Sequence, residues 1–308
     1  MEEIYTPILL VGFNRVDSIR QSLNSIREVK PQKLYIGIDG PRLNNKEDLN
    51  KIAEVKKEVE NIDWKCQVYY KFSEVNLGCK GNITSSISWA LENEDRVIIV
   101  EDDIVAPKSF FIFLQQMLEK YKNEDSIASV TGNNYTPLHT ETDYFFSRVA
   151  GHIWGWGTWK RVWEKFDVNL PELDSSFSNN FSTVKFTSKL DKIRFILYCR
   201  NIKKAQLTGT DNYWGPQWGI FRRIHNYLNI VPAKNLASNI GSISSRDMKN
   251  NSEPGKWYWK SDPDFKIKNH PMQIVANEKY DIFHFKNHLF KVSFFGKIKM
   301  IIRYILNI

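Results

Sequence analysis

Apolar runs and amphipathic stretches alternate through the first 130 positions of the chain. Residues 7–13, PILLVGF, form a continuous apolar run, the pattern of a strand covered on both faces. Ile19, Leu23 and Ile26 follow at helical spacing, with Asp17 or Ser18 as the cap. KLYIGI at 33–38 predicts a second strand, closed by the turn signal Asp39-Gly40-Pro41. Leu49, Ile52, Ala53 and Val59 mark the stripe of a charged helix, and Val68, Tyr70 and Phe72 alternate along a third strand. A helix opening at Gly78–Asn82 carries Ile83, Ile87, Ala90 and Leu91. VIIV at 97–100 predicts a fourth strand that runs straight into Glu101-Asp102-Asp103. Pro107 starts a helix with Phe110, Phe113, Leu114, Met117 and Tyr121 on one face. This order predicts a parallel, doubly wound α/β sheet. Ligands bind such sheets beyond the carboxyl ends of the strands. Asn14-Arg15, Asp39 and Glu101-Asp102-Asp103 all fall there.

After residue 131 the pattern becomes irregular and aromatic. GHIWGWGTWKRVW at 151–163 holds four Trp and three Gly. Residues 184–204 read as a basic helix, and 205–243 mix turns with short apolar runs. The tail, residues 286–308, reads as a separate basic amphipathic helix. Phe290, Phe294, Ile298, Ile301, Ile302 and Ile305 fall on one side, with Lys291, Lys297, Lys299 and Arg303 supplying charge. It is too interrupted to span a bilayer and suits either an anionic membrane surface or docking on its own domain. The chain divides at 1–130, 131–285 and 286–308 without a clear linker or an internal repeat.

The 308 residues include 10 Trp, 13 Tyr and 19 Phe, too many apolar rings for a disordered chain. No apolar run approaches the ~20 residues of a membrane span. The opening MEEIYTPILLVGFNR does not read as a signal peptide, so a cytoplasmic location is expected, peripheral to the inner membrane face if the tail binds lipid. Cys66, Cys79 and Cys199 lack CxxC spacing and read as three small buried hydrophobes in a reducing compartment. His139 and His152 lack partners at metal-type spacing and read as non-ligands. Residues 1–150 hold 18 basic and 23 acidic side chains, and residues 151–308 hold 25 and 12. The basic half suits an anionic partner. No zinc-finger or RNA-recognition signature points to nucleic acid.

VIIVEDD resembles a Walker-B strand, but the phosphate loop G-x-x-x-x-G-K-[ST] and the fingerprint G-x-G-x-x-G are both missing. A nucleotide would therefore be held without a glycine cradle. Clustered carboxylates repel a diphosphate unless a hard cation, Mg²⁺ or Mn²⁺, bridges the two.

A Rossmann-like half ending in hydrophobic-Glu-Asp-Asp, followed by Pro and Phe-Phe, resembles the GT-A glycosyltransferases. VIIVEDDIVAPKSFFIF is similar to the metal-motif region of the N-acetylglucosaminyltransferase I family. PILLVGFNR, IWGWGTW, TDNYWGPQW and PAKNLASNIG also recur in this order in bacterial relatives labelled hemolytic-protein-like nucleotide-diphospho-sugar transferases. The resemblance covers roughly residues 5–245. It implies a GT-A fold, mostly parallel, with a donor half at 1–130 and an acceptor half at 131–285. It implies an inverting, metal-dependent transfer from a nucleotide-diphospho-sugar, of the UDP-N-acetylglucosamine type, to a bacterial surface glycan or lipid-linked oligosaccharide. By the same resemblance Asp103 ligates the metal, Asp102 contacts the ribose and Glu101 the donor sugar. Arg15 approaches the phosphates, Asp39 reads the nucleobase edge, and Asp211 is the base. After SNIG the relatives continue toward a Thr-His-Thr element, where this chain has SISSRDMKN. Trp154, Trp156, Trp159 and Trp163 fit either a core or an apolar platform for a sugar ring, with Trp156 the donor-side candidate. Two other classes fit parts of the sequence: a non-catalytic glycan-binding protein using the aromatic cluster, and a nucleotide-dependent ATPase or switch.

Overall fold

The computed structural model describes residues 3–136, 138–173, 181–241, 260–290 and 293–306. SISSRDMKN lies outside the described residues. Four parallel strands build the first half: β1 (Ile8–Gly12), β2 (Lys33–Ile38), β3 (Gln67–Phe72) and β4 (Arg96–Glu101). Three helices connect them: α1 (Val16–Arg27), α2 (Lys46–Glu60) and α3 (Gly78–Asn93). The second half adds β5 (Ile104–Val105), α4 (Lys108–Lys120), β6 (Ile127–Thr131), β7 (Tyr144–Ser147), β8 (Trp156–Trp159) and α5 (Lys160–Trp163). Then come α6 (Lys189–Leu207), α7 (Gly215–Ile224), β9 (Leu228–Pro232) and β10 (Ser238–Asn239). The chain closes with α8 (Glu278–His284), a π-helical turn at Phe285–Leu289 and α9 (Phe294–Ile305).

One eight-stranded sheet runs β3-β2-β1-β4-β8-β6-β9-β7. β6 and β9 pair in parallel, β8 lies antiparallel to both β4 and β6, and β7 lies antiparallel to β9. The fold is α/β and Rossmann-like, with parallel pairs in the majority, as the sequence predicts. β1, between helices on both faces, is buried along its whole length. Edge strand β3 leaves Tyr69 and Tyr70 partly in solvent. In α2 the buried stripe is Ile52, Val55 and Val59. Leu49, expected on that stripe, is exposed, because Asp48 takes the buried place in the first turn. Asp48 accepts from Asn14 at 2.7 Å and holds Arg42 through two bonds of 2.6 and 2.8 Å.

Trp156, Trp159 and Trp163 of the aromatic segment are core, and Trp154 is half-buried against Tyr135. Trp156 points from β8 into a cluster with Trp163, Trp214 and Trp218, at centroid distances of 6.3, 5.5 and 5.4 Å. Each such ring pair adds about 0.5–1.5 kcal/mol beyond the area it buries. Trp159 points the opposite way and donates to the Leu118 carbonyl of α4 at 2.9 Å. The glycines between these rings admit α4. A Cβ on Gly157 would meet Leu118 Cδ1 at 2.8 Å, and Gly155, at φ +75°, lies against Phe110. Their close approach is to this helix.

The tail expected as one helix over 286–308 is broken by the π-helical turn, and its helical part is α9. Lys291, Val292, Asn307 and Ile308 lie outside the described residues, as does the side chain of Phe294. α9 docks on α6: Tyr304 packs on the core, with the Arg200 guanidinium 5.7 Å over its ring. Its outer side leaves Phe295, Ile298, Ile302 and Ile305 exposed. Among the described residues no helix is long and apolar enough to cross a membrane.

Candidate active site

β1 and β4 are neighbours, and the sheet order reverses beside them, so their carboxyl ends open a crevice. Register places Val11 opposite Glu101. Glu101, Asp102 and Asp103 therefore emerge beside Gly12 and Phe13. Nothing near in sequence balances these acids, but the fold brings Arg15 onto them. Its guanidinium bonds Asp102 Oδ1, reaches Asp102 Oδ2 at 3.3 Å and Asp103 Oδ2 at 3.1 Å. Arg15, expected against phosphates, is thus first the counter-charge of the acids. Its side chain stays 46% exposed, so it borders the pocket as well. One arginine does not balance three carboxyls. Burial, then repulsion from Asp103 and Asp102, pushes Glu101 up to about 8. Burial likewise raises Asp102 to about 6, against the pull of Arg15. Asp103 Oδ1 is buried and has no hydrogen-bond partner among the described residues. Oxygens of Glu101, Asp102 and Asp103 do not all lie within 4.8 Å of one another, so the donor that this arrangement offers a hard divalent cation is the orphaned Asp103 Oδ1.

The segment PAKNLASNIG ends against this cluster. β10 pairs with β5, immediately after the acids, and Ile240 N–H donates to the Asp103 carbonyl at 2.8 Å. A Cβ on Gly241 would lie 2.2 Å from Asp103 Oδ2 and 2.9 Å from Arg15 Nη1, so any larger residue there must displace the ends of those two side chains.

A cleft of about 370 Å³ opens beside the acids. Gly12, Phe13, Arg15, Asp39, Arg42, Asn76, Cys79, Asn82, Glu101, Asp102 and Asn212 line it. The first turn of α1 follows Arg15, and α3 begins at Gly78, so two helix N-termini face the cleft. Such ends favour anions. Gly78 sits at φ +71° with Asn212 Oδ1 2.5 Å from where a Cβ would be.

Asp39 lines the cleft, but its carboxylate is engaged with its own chain. Oδ1 accepts from Gly40 N at 2.9 Å and Leu77 N at 2.8 Å, and Oδ2 from Asn76 Nδ2 at 2.9 Å and Gly78 N at 3.0 Å. Four donors fill its acceptor positions. It shapes the wall at 76–78. Asp211 stands next to the lining residue Asn212 and is tied through Oδ2 to Lys80 Nζ at 2.6 Å. Trp156, expected beside the donor, is 1% exposed and contributes nothing to the cleft; its ring belongs to the core cluster.

Sequence reasoning missed Arg42 and Cys79. Arg42 lies over the Phe13 ring at 5.6 Å, fixed there by Asp48. Its signal was weak: an arginine just past a turn. Of the three cysteines, Cys199 is buried, Cys66 is intermediate and Cys79 is exposed at the cleft. The thiol of Cys79 is pushed up to about 11 by desolvation and by the neighbouring acids.

No protein-family model and no curated protein matches the chain. Among solved structures, it is similar to a UDP-glucose pyrophosphorylase complexed with UDP-glucose at 11% identity and a TM-score of 0.37, covering 80% of this chain and 98% of that one. It is also similar to a mannose-1-phosphate geranyltransferase from Thermus thermophilus at 9% identity and a TM-score of 0.37, covering 81% and 80%. A likeness this loose assigns no activity.

Proposed function

We propose that the chain is an inverting, metal-dependent glycosyltransferase that moves a sugar from a nucleotide-diphospho-sugar to a glycan or lipid-linked oligosaccharide acceptor. The observation that carries this reading is Asp103 Oδ1, buried and unpartnered next to Glu101, Asp102 and Arg15, beside a cleft bordered by the N-terminus of α1. Asp103, with Glu101 next to it, would hold Mg²⁺ or Mn²⁺, which offsets charge on the departing diphosphate. The start of α1 and the exposed part of Arg15 would bind the phosphates. Asp102 holds Arg15 in place and faces the ribose. Phe13 and Arg42 form the flat wall suited to the base.

Asp211 would act from the side of Asn212. The acceptor oxygen attacks the anomeric carbon as the bond to the diphosphate oxygen breaks, and Asp211 takes the hydroxyl proton. Lys80 holds one of its oxygens and leaves Oδ1 for that proton. The diphosphate leaves on the opposite face, so configuration inverts. The aromatic cluster offers no sugar platform, because its rings are buried in one another. This favours the enzyme reading over a glycan-binding protein.

The outer face of α9 would rest on an anionic membrane, bringing the cleft near a lipid-linked acceptor. Phe295, Ile298, Ile302 and Ile305 are exposed on it, and Lys297, Lys299 and Arg303 supply charge of the right sign.

The test is a panel of nucleotide-sugars scored for hydrolysis with Mn²⁺, with Mg²⁺ and with chelator. One donor should turn over with metal, and Asp103→Asn should abolish that turnover while leaving the circular-dichroism spectrum unchanged. Equal hydrolysis in chelator would refute the metal-dependent reading. Sedimentation with anionic vesicles tests the tail, and a chain ending at residue 287 that pellets equally well refutes that part.

A further inference from the structure

His152 lies in the loop that joins β7 to β8, and His284 and His288 lie on α8 and the π-helical turn after it. In sequence the first stands more than a hundred positions from the other two. In the fold a ligand-type atom of each lies within 4.8 Å of those of the other two. Ring centroids are 5.2 Å apart for His152 and His284, 5.3 Å for His152 and His288, and 4.9 Å for His284 and His288. This corrects the reading of His152 as a residue without metal-type partners. None of the three lines the carboxylate cleft.

We propose that these three imidazoles form a second metal site, for a borderline dication of the Zn²⁺ class. Two independent observations point to a ligand. Nε2 of His152 and Nε2 of His284 are both buried and have no hydrogen-bond partner among the described residues. Buried polar atoms are rarely left so, and a nitrogen lone pair in that position accepts a soft or borderline cation well. Second, His284 is oriented from behind. Its Nδ1 meets Thr136 Oγ1 at 2.6 Å, and its ring stacks on Tyr280 at 5.6 Å. That outer contact, which fixes the ring and leaves Nε2 to bind, is how metal-ligating imidazoles are commonly held.

Three nitrogens at about 2.0–2.1 Å from Zn²⁺ would stand about 3.3 Å apart, so binding draws the rings together. His288, on the π-helical turn, is placed to make that movement, since such turns depart from regular helix and recur at functional sites. The opposite wall is fixed. Asn229 donates to the Ser147 and Ala150 carbonyls at 3.2 and 2.8 Å, and Arg222 to the Gly151 carbonyl at 3.0 Å. Arg222, toward His152, and Arg194, toward His284, are charges that oppose a cation here. Asp281, one turn before His284, accepts from Ser147 Oγ and ties α8 to the end of β7. A tetrahedral ion held by three imidazoles would take water as its fourth ligand. The metal would clip the chain's last third to the loop leading into β8.

The test uses the full chain after dialysis against Zn²⁺ or Co²⁺. One equivalent should remain, and Co²⁺ should give the intense visible bands of a tetrahedral site. X-ray absorption of the Zn²⁺ form should show imidazole scattering, a readout that needs no variant. His288→Gln should lose the bands, Thr136→Val should bind about tenfold more weakly, and Asp103→Asn should bind unchanged. Less than a tenth of an equivalent retained, an oxygen-only shell, or bands that vanish with Asp103→Asn and persist in His288→Gln would each overturn the proposal.

Discussion

The α-carbon of Gly241 lies so close to Asp103 that a methyl group there would stand 2.2 Å from the carboxylate Oδ2. The segment ending at Gly241 thus packs against the Asp103 carboxylate and the Arg15 guanidinium bonded to it.

Gly241→Ala should displace Asp103 by a fraction of an ångström or more. Metal-dependent turnover of the donor is expected to fall about a hundredfold, the scale seen when reacting groups are misplaced by about 1 Å. Melting temperature should barely change, since Gly241 lies just past the end of a two-residue strand. Wild-type turnover in this variant would show that Asp103 needs no such packing.

Lys80 and Asp211 make the second pair. Asp211→Asn keeps the shape but removes the proton acceptor, so transfer should fall about a thousandfold, in the range general-base catalysis supplies. Binding of the nucleotide diphosphate, followed by calorimetry, should persist. Lys80→Met should cost less, about tenfold, because it frees Asp211 without removing it. If Lys80→Met proves the more damaging change, Lys80 itself contacts the substrate.

Metal-free protein should lose stability as pH rises. Glu101 is raised by burial and by its acidic neighbours to about 8, and Asp102 to about 6. The folded chain thus holds protons that the unfolded chain, with carboxyl groups near about 4, has released. Their contribution is complete below about pH 4 and disappears as pH climbs through those raised values. Melting in chelator should drop by roughly 5 °C between about pH 5 and 8.5, and Glu101→Gln should flatten the slope. A flat wild-type profile over that window would contradict the electrostatic description of the cluster.

Cys79 gives a probe of the cleft. Its raised thiol keeps alkylation slow at neutral pH, and the rate should climb about tenfold per pH unit toward about 10. Mn²⁺ with UDP should protect Cys79 while leaving Cys66 labelling unchanged. Mass spectrometry of tryptic peptides separates the two. Equal labelling of Cys79 with and without the nucleotide would place the nucleotide elsewhere.

The sequence alone determined the first half of this protein. Period-two and period-3.6 patterns depend on neighbours in the chain, so β1 to β4 and their helices were legible. So was the meeting of Arg15, Asp39 and Glu101–Asp103 at one edge, because parallel strands bring their carboxyl ends together. The second half was decided by tertiary structure. WGWGTW pointed equally to core and to ligand, and only the packing of α4 on one side and α7 on the other put Trp156 inside. Asp39 looked free to meet a ligand until loop 76–78 folded onto it. Arg15 became the partner of Asp102, and His152 the neighbour of His284 and His288, across separations that no local pattern encodes. Charge balance and ligand geometry are properties of distance in space, and the chain's own order says little about those distances once strands are added out of sequence.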